Sequence, residues 1–108
     1  MKYTKQNYQQ LPEREVFKGY HGRFVHTGDV TLAYWKVDAN SAVPEHHHVH
    51  AQVVQVISGD FQMTINGETH LYHAGDVIAI PSNVSHSALS ITDCVVHDIF
   101  IPEREDYK

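Results

Sequence analysis

An all-β fold, a sandwich or barrel of short strands, is the class this sequence predicts, and three observations predict it. Runs of β-branched and aromatic residues are short and end at turn residues. Gly or Asn punctuates the chain at spacings of about 8–12 residues, the rhythm of all-β sandwiches and barrels. No longer stretch carries a helical period.

Taken in order, the polar opening "MKYTKQNYQQ" leaves the first fifteen or so residues expected to be irregular. "VTLAYWKV" (residues 30–37) is rich in β-branched and aromatic side chains and stops at "DANSA"; "QVVQVI" (52–57) stops at "SGD". "FQMTI" alternates Phe61, Met63 and Ile65 with Gln62 and Thr64, the period of a half-buried strand. Asn66-Gly67 follows, a hairpin signal because a type I′ turn needs positive φ at both central residues. "ETHLYH" returns, Ala74-Gly75-Asp76 turns, and "VIAI" runs into Pro81. "HSALSI" and "CVVHDIFI" are the last two strands, and the tail "PEREDYK" is expected to be irregular.

The length of 108 residues fits one domain, spanning 1–108 with a core at about 30–101, an N-terminal extension and a short C-terminal tail. With 13 acids against 8 bases the net charge is −5, and no basic stripe appears, which excludes nucleic acid as the expected partner. No run approaches the ~18 apolar residues of a membrane span, and no secretory pattern opens the chain. A lone Cys94 cannot form an internal bridge, in keeping with a reducing compartment. A soluble, cytoplasmic protein is the expectation.

Histidine is the outlier, with ten in the chain and four of them in "PEHHHVHAQVVQV". On an extended strand residues two apart point the same way, so His46, His48 and Gln52 share a face, with His50 if the strand stays regular. Imidazoles on alternate positions converge well on a first-row metal ion, whereas His47 and Val49 point away. A solvated histidine-rich loop is the alternative for any isolated His-x-His.

The surrounding spacing is what resembles a family, the cupins. Their first motif runs Gly, five residues, His-x-His, three or four residues, Glu, six residues, Gly. Here it reads "NSAVPEHHHVHAQVVQVISG", from Asn40 through His46, His48 and Gln52 to Gly59. The second motif, Gly, five residues, Pro-x-Gly, two residues, His, reads "GDVIAIPSNVSH", with Gly75, Pro81, Asn83 and His86. Asn replaces Gly at positions 40 and 83, and Asn tolerates the left-handed region. Gln52 replaces the usual Glu, so the ligand set leaves a divalent ion at its full charge and supplies no proton acceptor. Gln52 either ligates or hydrogen-bonds a ligand histidine. The resemblance implies a cupin-type double-stranded β-helix, a jelly-roll barrel.

On the last strand Asp98 and Phe100 share a face with Val96, and an acid within an apolar strand is costly to bury unless paired or functional. Arg104 follows Pro102, where the chain could fold back, and its planar guanidinium suits a carboxylate. An outward solvated Asp98, and an Arg104 paired with Glu103 or Asp106, are the alternatives; position alone leaves them open.

The His-x-His-x-x-x-Gln variant and the ending "DIFIPEREDY" resemble the small cupins of pectin and alginate breakdown, the KdgF pectin-degradation proteins. That resemblance implies metal ligation by His46, His48, Gln52 and His86, and catalytic roles for Asp98, Phe100 and Arg104. It implies conversion of 4,5-unsaturated uronate monosaccharides to linear 5-keto-4-deoxyuronate, with a divalent ion (Ni, Zn, Fe or Mn), a small anionic sugar as substrate, and a homodimer. A metal-dependent cupin dioxygenase and a non-catalytic sugar-binding cupin are the rivals. His50 is expected beside the ligands, and His21, His26, His70, His73 and His97 at the surface. Tyr34 and Trp35 are expected in the core or a dimer interface.

Overall fold

The computed structural model describes residues 2–108 and contains two antiparallel sheets. Strands in chain order are β1 (Arg14–Phe17), β2 (Tyr20–His26), β3 (Thr31–Val37), β4 (Ala42–His46), β5 (Ala51–Ser58), β6 (Phe61–Ile65), β7 (Glu68–Tyr72), β8 (Val77–Ile80), β9 (His86–Ser90) and β10 (Cys94–Ile101). Six form a sheet in the order β1-β2-β3-β10-β5-β8, and four form a second in the order β4-β9-β6-β7. This is the jelly-roll arrangement expected. Among the described residues no helix is long and apolar enough to cross a membrane.

Alternation sets the core. Ala33, Trp35 and Val37 of β3, Val54 and Val56 of β5, Phe61 and Met63 of β6, and Val96 and Phe100 of β10 are buried at every second position. Between two sheets, one face of each strand leaves water while the other stays near solvent. β10 lies centrally, paired with both β3 and β5, and that register puts Asp98 between Ala33 and Val54 and Phe100 between Thr31 and Gln52. Three polar residues, Asp98, Thr31 and Gln52, thus stand in adjacent inward rows of an apolar sheet.

The two ends of the chain hold more structure than the sequence predicts. The first fifteen or so residues are irregular as expected, apart from a 3-10 turn at Tyr8–Gln10 and the start of β1, but β1 and β2 add two strands ahead of the expected core, and the buried core starts with Tyr20. Arg14, Glu15, His21 and Arg23 mask the alternation, because β1 and β2 lie at a sheet edge where one face stays wet. The tail is likewise ordered: a 3-10 turn, Glu105–Tyr107, tucks Tyr107 into the core.

Turn chemistry follows the sequence. Asn66 and Gly67 have φ of 49° and 81°, as a type I′ hairpin requires, and Asn40 and Asn83 take the left-handed region at 59° and 64°. Gly59 has φ of 87°, and a Cβ there would lie 2.2 Å from the Asp93 carbonyl oxygen. Gly59→Ala combines left-handed strain with a backbone clash, so a loss of about 2–4 kcal/mol is expected in denaturant titration. An unchanged midpoint would contradict the close approach.

Candidate metal centre and cavity

The site lies between the sheets, and each sheet contributes to it. His46 ends β4 and His86 opens β9, directly opposite in register. The extended run expected through His50 breaks after His46: His48 sits in the loop and Gln52 follows on β5 of the other sheet. The shared face of these residues therefore comes from a crossing between sheets, not from one strand's alternation. Motif two holds the loop of motif one, since the Asn83 N–H donates to the His48 carbonyl at 2.8 Å and the Ser82 hydroxyl to that of Val49 at 2.5 Å.

One ligand nitrogen from each of His46, His48 and His86 falls within 4.8 Å of the others. Bonds of about 2.1 Å let an ion reach donors about 4 Å apart across itself, so closure needs only small side-chain movements. Carbonyl oxygens only accept, and this settles the tautomers. His46 Nδ1–H donates to Pro44 O at 2.8 Å, His48 Nδ1–H to His50 O at 2.9 Å, and His86 Nδ1–H to Val84 O at 2.9 Å. Each Nε2 is left with a free lone pair, the form a metal needs. His86 Nε2 is buried and has no hydrogen-bond partner.

Gln52 strengthens the fit. Its Oε1 lies 3.1 Å from His48 Nε2. Since the His48 proton is on Nδ1, two lone pairs face each other, a repulsive contact that a cation relieves. An imidazolium could relieve it too, but burial, with the nearby Arg104 charge, pushes the His48 pKa down to about 4. Burial also lowers His86. Burial thus favours the neutral, metal-binding form of His48 and His86, and the residues present fit a divalent ion.

Behind Gln52 stands Asp98. Its Oδ2 accepts from Trp35 Nε1–H at 3.1 Å and from the Gln52 amide at 3.3 Å, while Oδ1 is buried without a partner. Burial raises its pKa to about 7, against the opposing pull of those two hydrogen bonds and of Arg104. The outward, solvated alternative for Asp98 is overturned, because the residue is only 8% exposed.

His46, Gln52, His86, Asp98, Phe100 and Arg104 line one cavity, with His48 joined to it through His46, His86 and Gln52. The Arg104 guanidinium stacks over Tyr107 at 4.1 Å and Phe100 at 4.8 Å. Its Nε and Nη2 donate to both Asp106 oxygens at 3.1 and 2.7 Å, so the Asp106 pairing is real and coexists with the cavity position. Among the described residues Nη1 has no hydrogen-bond partner, which leaves part of the fork for a ligand. His50 orients His48 through its carbonyl and donates its own Nε2–H to Glu103 O at 3.2 Å.

Trp35 and Tyr107 also line this cavity, and sequence reasoning missed both. Trp35 does belong to the core, as expected, yet its indole N–H also orients Asp98. Its position on β3 with inward parity was the available signal. Tyr107 carried none, since the tail has no period. His26 is half-buried rather than free at the surface: it contacts Thr31 Oγ1 at 2.9 Å and Tyr107 O at 3.3 Å. His97 is half-buried, edge-on to Tyr34. His70 and His73 are exposed.

Two facing antiparallel sheets with three histidines converging at one end define the class, and residues 33–100 match the cupin domain; the chain belongs to the cupin family. Within it, the chain is similar to the KdgF proteins. It is 32% identical over 65 residues to the pectin degradation protein KdgF of Dickeya dadantii, a match covering 59% of each chain, so it spans less than two thirds of that relative. The structure of KdgF from Halomonas sp. superposes with a TM-score of 0.91 at 25% identity, covering 99% of this chain and 100% of that one. An RmlC-like cupin from Shewanella frigidimarina, at 24% identity and a TM-score of 0.91 over 99% and 97%, shares the fold.

Proposed function

We propose that this protein linearises 4,5-unsaturated uronate monosaccharides, of the kind pectin or alginate lyases release, to 5-keto-4-deoxyuronate. The observation that carries this reading is a buried carboxyl, Asp98, raised toward neutral pH and held beside three converging imidazoles in a cavity that also takes Arg104. Likeness to the KdgF proteins supports the substrate class. A general base poised near the working pH is what proton transfer at a sugar hydroxyl requires.

His46, His48, His86 and Gln52 would hold a divalent ion, which would supply Lewis-acid stabilisation for charge developing on a substrate oxygen. Arg104 binds the uronate carboxylate, its guanidinium fixed by Asp106 and stacked on Tyr107. Phe100 packs against the sugar. Asp98 takes the proton of the anomeric hydroxyl; carbon 1 becomes a carbonyl as its bond to the ring oxygen breaks. The electron pair stays on that oxygen, giving an enolate across carbons 5 and 4, and Asp98 returns the proton to carbon 4. The sum is an isomerisation with no external oxidant.

Gln52 holds this apparatus in phase, since its amide donates to Asp98 while its oxygen faces the metal site. Because the neutral amide leaves the ion's charge uncompensated, the site favours an anionic substrate.

We place the protein in the cytoplasm, where a buried free Cys94 stays reduced, and infer a homodimer. The outer face of the larger sheet supports pairing: Val25, Leu32, Ile99, Val53 and Ala79 form one apolar row across five strands. Light scattering should give twice the chain mass.

The test is loss of the ultraviolet absorbance of an unsaturated uronate, with and without chelator, beside an oxygen electrode. Decay that chelation slows and that consumes no oxygen is expected. Oxygen uptake would favour the dioxygenase; binding without decay, the sugar-binding cupin.

A further inference from the structure

Beyond Pro102 the chain returns over the cavity with Arg104 and Tyr107, and one buried hydroxyl catches it. Thr31, at the start of β3, has 0% exposure. Its Oγ1 accepts the Arg104 backbone N–H at 2.9 Å and lies 2.9 Å from His26 Nδ1. A hydroxyl shut away from water must place its own proton on an acceptor. His26 Nδ1 is that acceptor, which puts the imidazole proton on Nε2. There it faces the Tyr107 carbonyl at 3.3 Å and donates to it. The hydrogen bonds therefore run in one direction, from Arg104 N–H through Thr31 and His26 to Tyr107 O. Both ends lie on the same returning segment, flanking the turn over which the Arg104 guanidinium stacks on the Tyr107 ring.

We propose that Thr31, with His26, is the positioning device that sets the Arg104 guanidinium over the cavity and thereby fixes the site's affinity for its substrate's carboxylate. This rests on Arg104 binding that carboxylate, as in the function proposed above. Neither residue touches substrate; both act through the backbone on either side of the 105–107 turn. Most other polar ties of this segment are exposed: Glu103 to Gly28 N–H at 2.7 Å, Lys108 to Glu103 and Glu105, and Arg14 to Asp106 O at 3.4 Å; the exception is the part-buried bond from His50 Nε2–H to Glu103 O at 3.2 Å. Exposed polar contacts compete with water and contribute little, and the His50 bond ties Glu103, ahead of Arg104, so the buried chain together with the packing of the Tyr107 ring sets the placement of Arg104.

Thr31→Val keeps the side chain's shape and removes the hydroxyl. The expected result is a KM for unsaturated uronate about tenfold higher or more, with kcat within about twofold, because uniform binding is what is lost. Metal content should stay at the wild-type level. Thr31→Ser should bring KM back to within about threefold of wild type. Galacturonate, a non-reacting anionic probe, should weaken in parallel, and the Arg104 backbone N–H should lose protection in hydrogen-exchange NMR. Wild-type KM and unchanged Arg104 exchange in Thr31→Val would overturn the proposal, as would failure of serine to rescue. Should Thr31→Val not fold, His26→Phe removes the acceptor and is expected to raise KM in the same direction; an unchanged KM there overturns it. If the wild-type protein turns over no unsaturated uronate, the proposed function fails, while galacturonate titration and Arg104 exchange still decide the positioning role.

Discussion

Asp98→Asn is expected to lower turnover of unsaturated uronate by roughly 10²–10⁴-fold while metal content stays intact, the range that loss of a general acid–base group produces. The amide keeps the shape and can still meet Trp35 and Gln52, but it cannot take a proton at neutral pH. Turnover at the wild-type rate would remove Asp98 from the mechanism. The same substitution carries a stability signature. Burial penalises the charge and raises the Asp98 carboxyl from its ordinary 3.8 to about 7 in the fold. Between those values the folded chain holds a proton that the unfolded chain has released. Metal-free protein should therefore be most stable below about pH 4 as far as this group is concerned, and lose that contribution as pH rises through about 7. Asp98→Asn should remove that fall from a series of denaturant titrations, a result that protonation of the surface acids would not mimic.

His86→Ala should strip the metal. Binding energies of about 10–16 kcal/mol for structural zinc, shared over four ligands, come to about 3 kcal/mol each. Since 1.4 kcal/mol is tenfold, an affinity loss on the order of 10²-fold is expected. Elemental analysis after dialysis should show less than the wild-type metal per chain, with turnover falling alongside it and the far-ultraviolet circular dichroism of a β protein retained. His86 is the informative choice because it is 3% exposed and its Nε2 has no other partner. Its loss leaves the fold's hydrogen bonds intact apart from the one to Val84. A variant that holds metal at the wild-type level would show that His46, His48 and Gln52 suffice. The same replacement at His47, which is exposed, should change neither quantity.

Much of the site was legible because cupin chemistry is written in short, local spacings. His46, His48, Gln52 and His86 sit in two motifs whose turns need positive φ, and Asn40, Gly59, Gly75 and Asn83 all adopt it. Strand parity put Asp98 and Phe100 on one face with Val96, since alternation is a property of any extended chain, but left open which way that face points. Parity misled at one point: it carried the strand through His48, whereas the chain leaves one sheet there and enters the other. A period-two pattern does not record which sheet a residue belongs to.

The residues that eluded sequence reading share a cause. Trp35, Tyr107, Thr31 and His26 act through partners 63 to 81 positions away along the chain in their contacts with Asp98, Arg104 and one another's segments. No local pattern encodes such a pairing. Arg104 shows the limit clearly, because the sequence left open whether it binds Asp106 or faces the cavity. The structure has it do both, as a fork with more than one edge allows.

The sequence by itself determined the all-β class and the turns, because each depends on spacing or on a single residue's backbone freedom, and its resemblance to the cupins pointed to four residues that could face a metal. Only the tertiary structure decided the tautomers of the three histidines, the raised pKa of Asp98 and the return of the tail over the cavity. Those depend on which carbonyl, indole or hydroxyl lies across the barrel, and on how much water the packing of two sheets leaves around a charge.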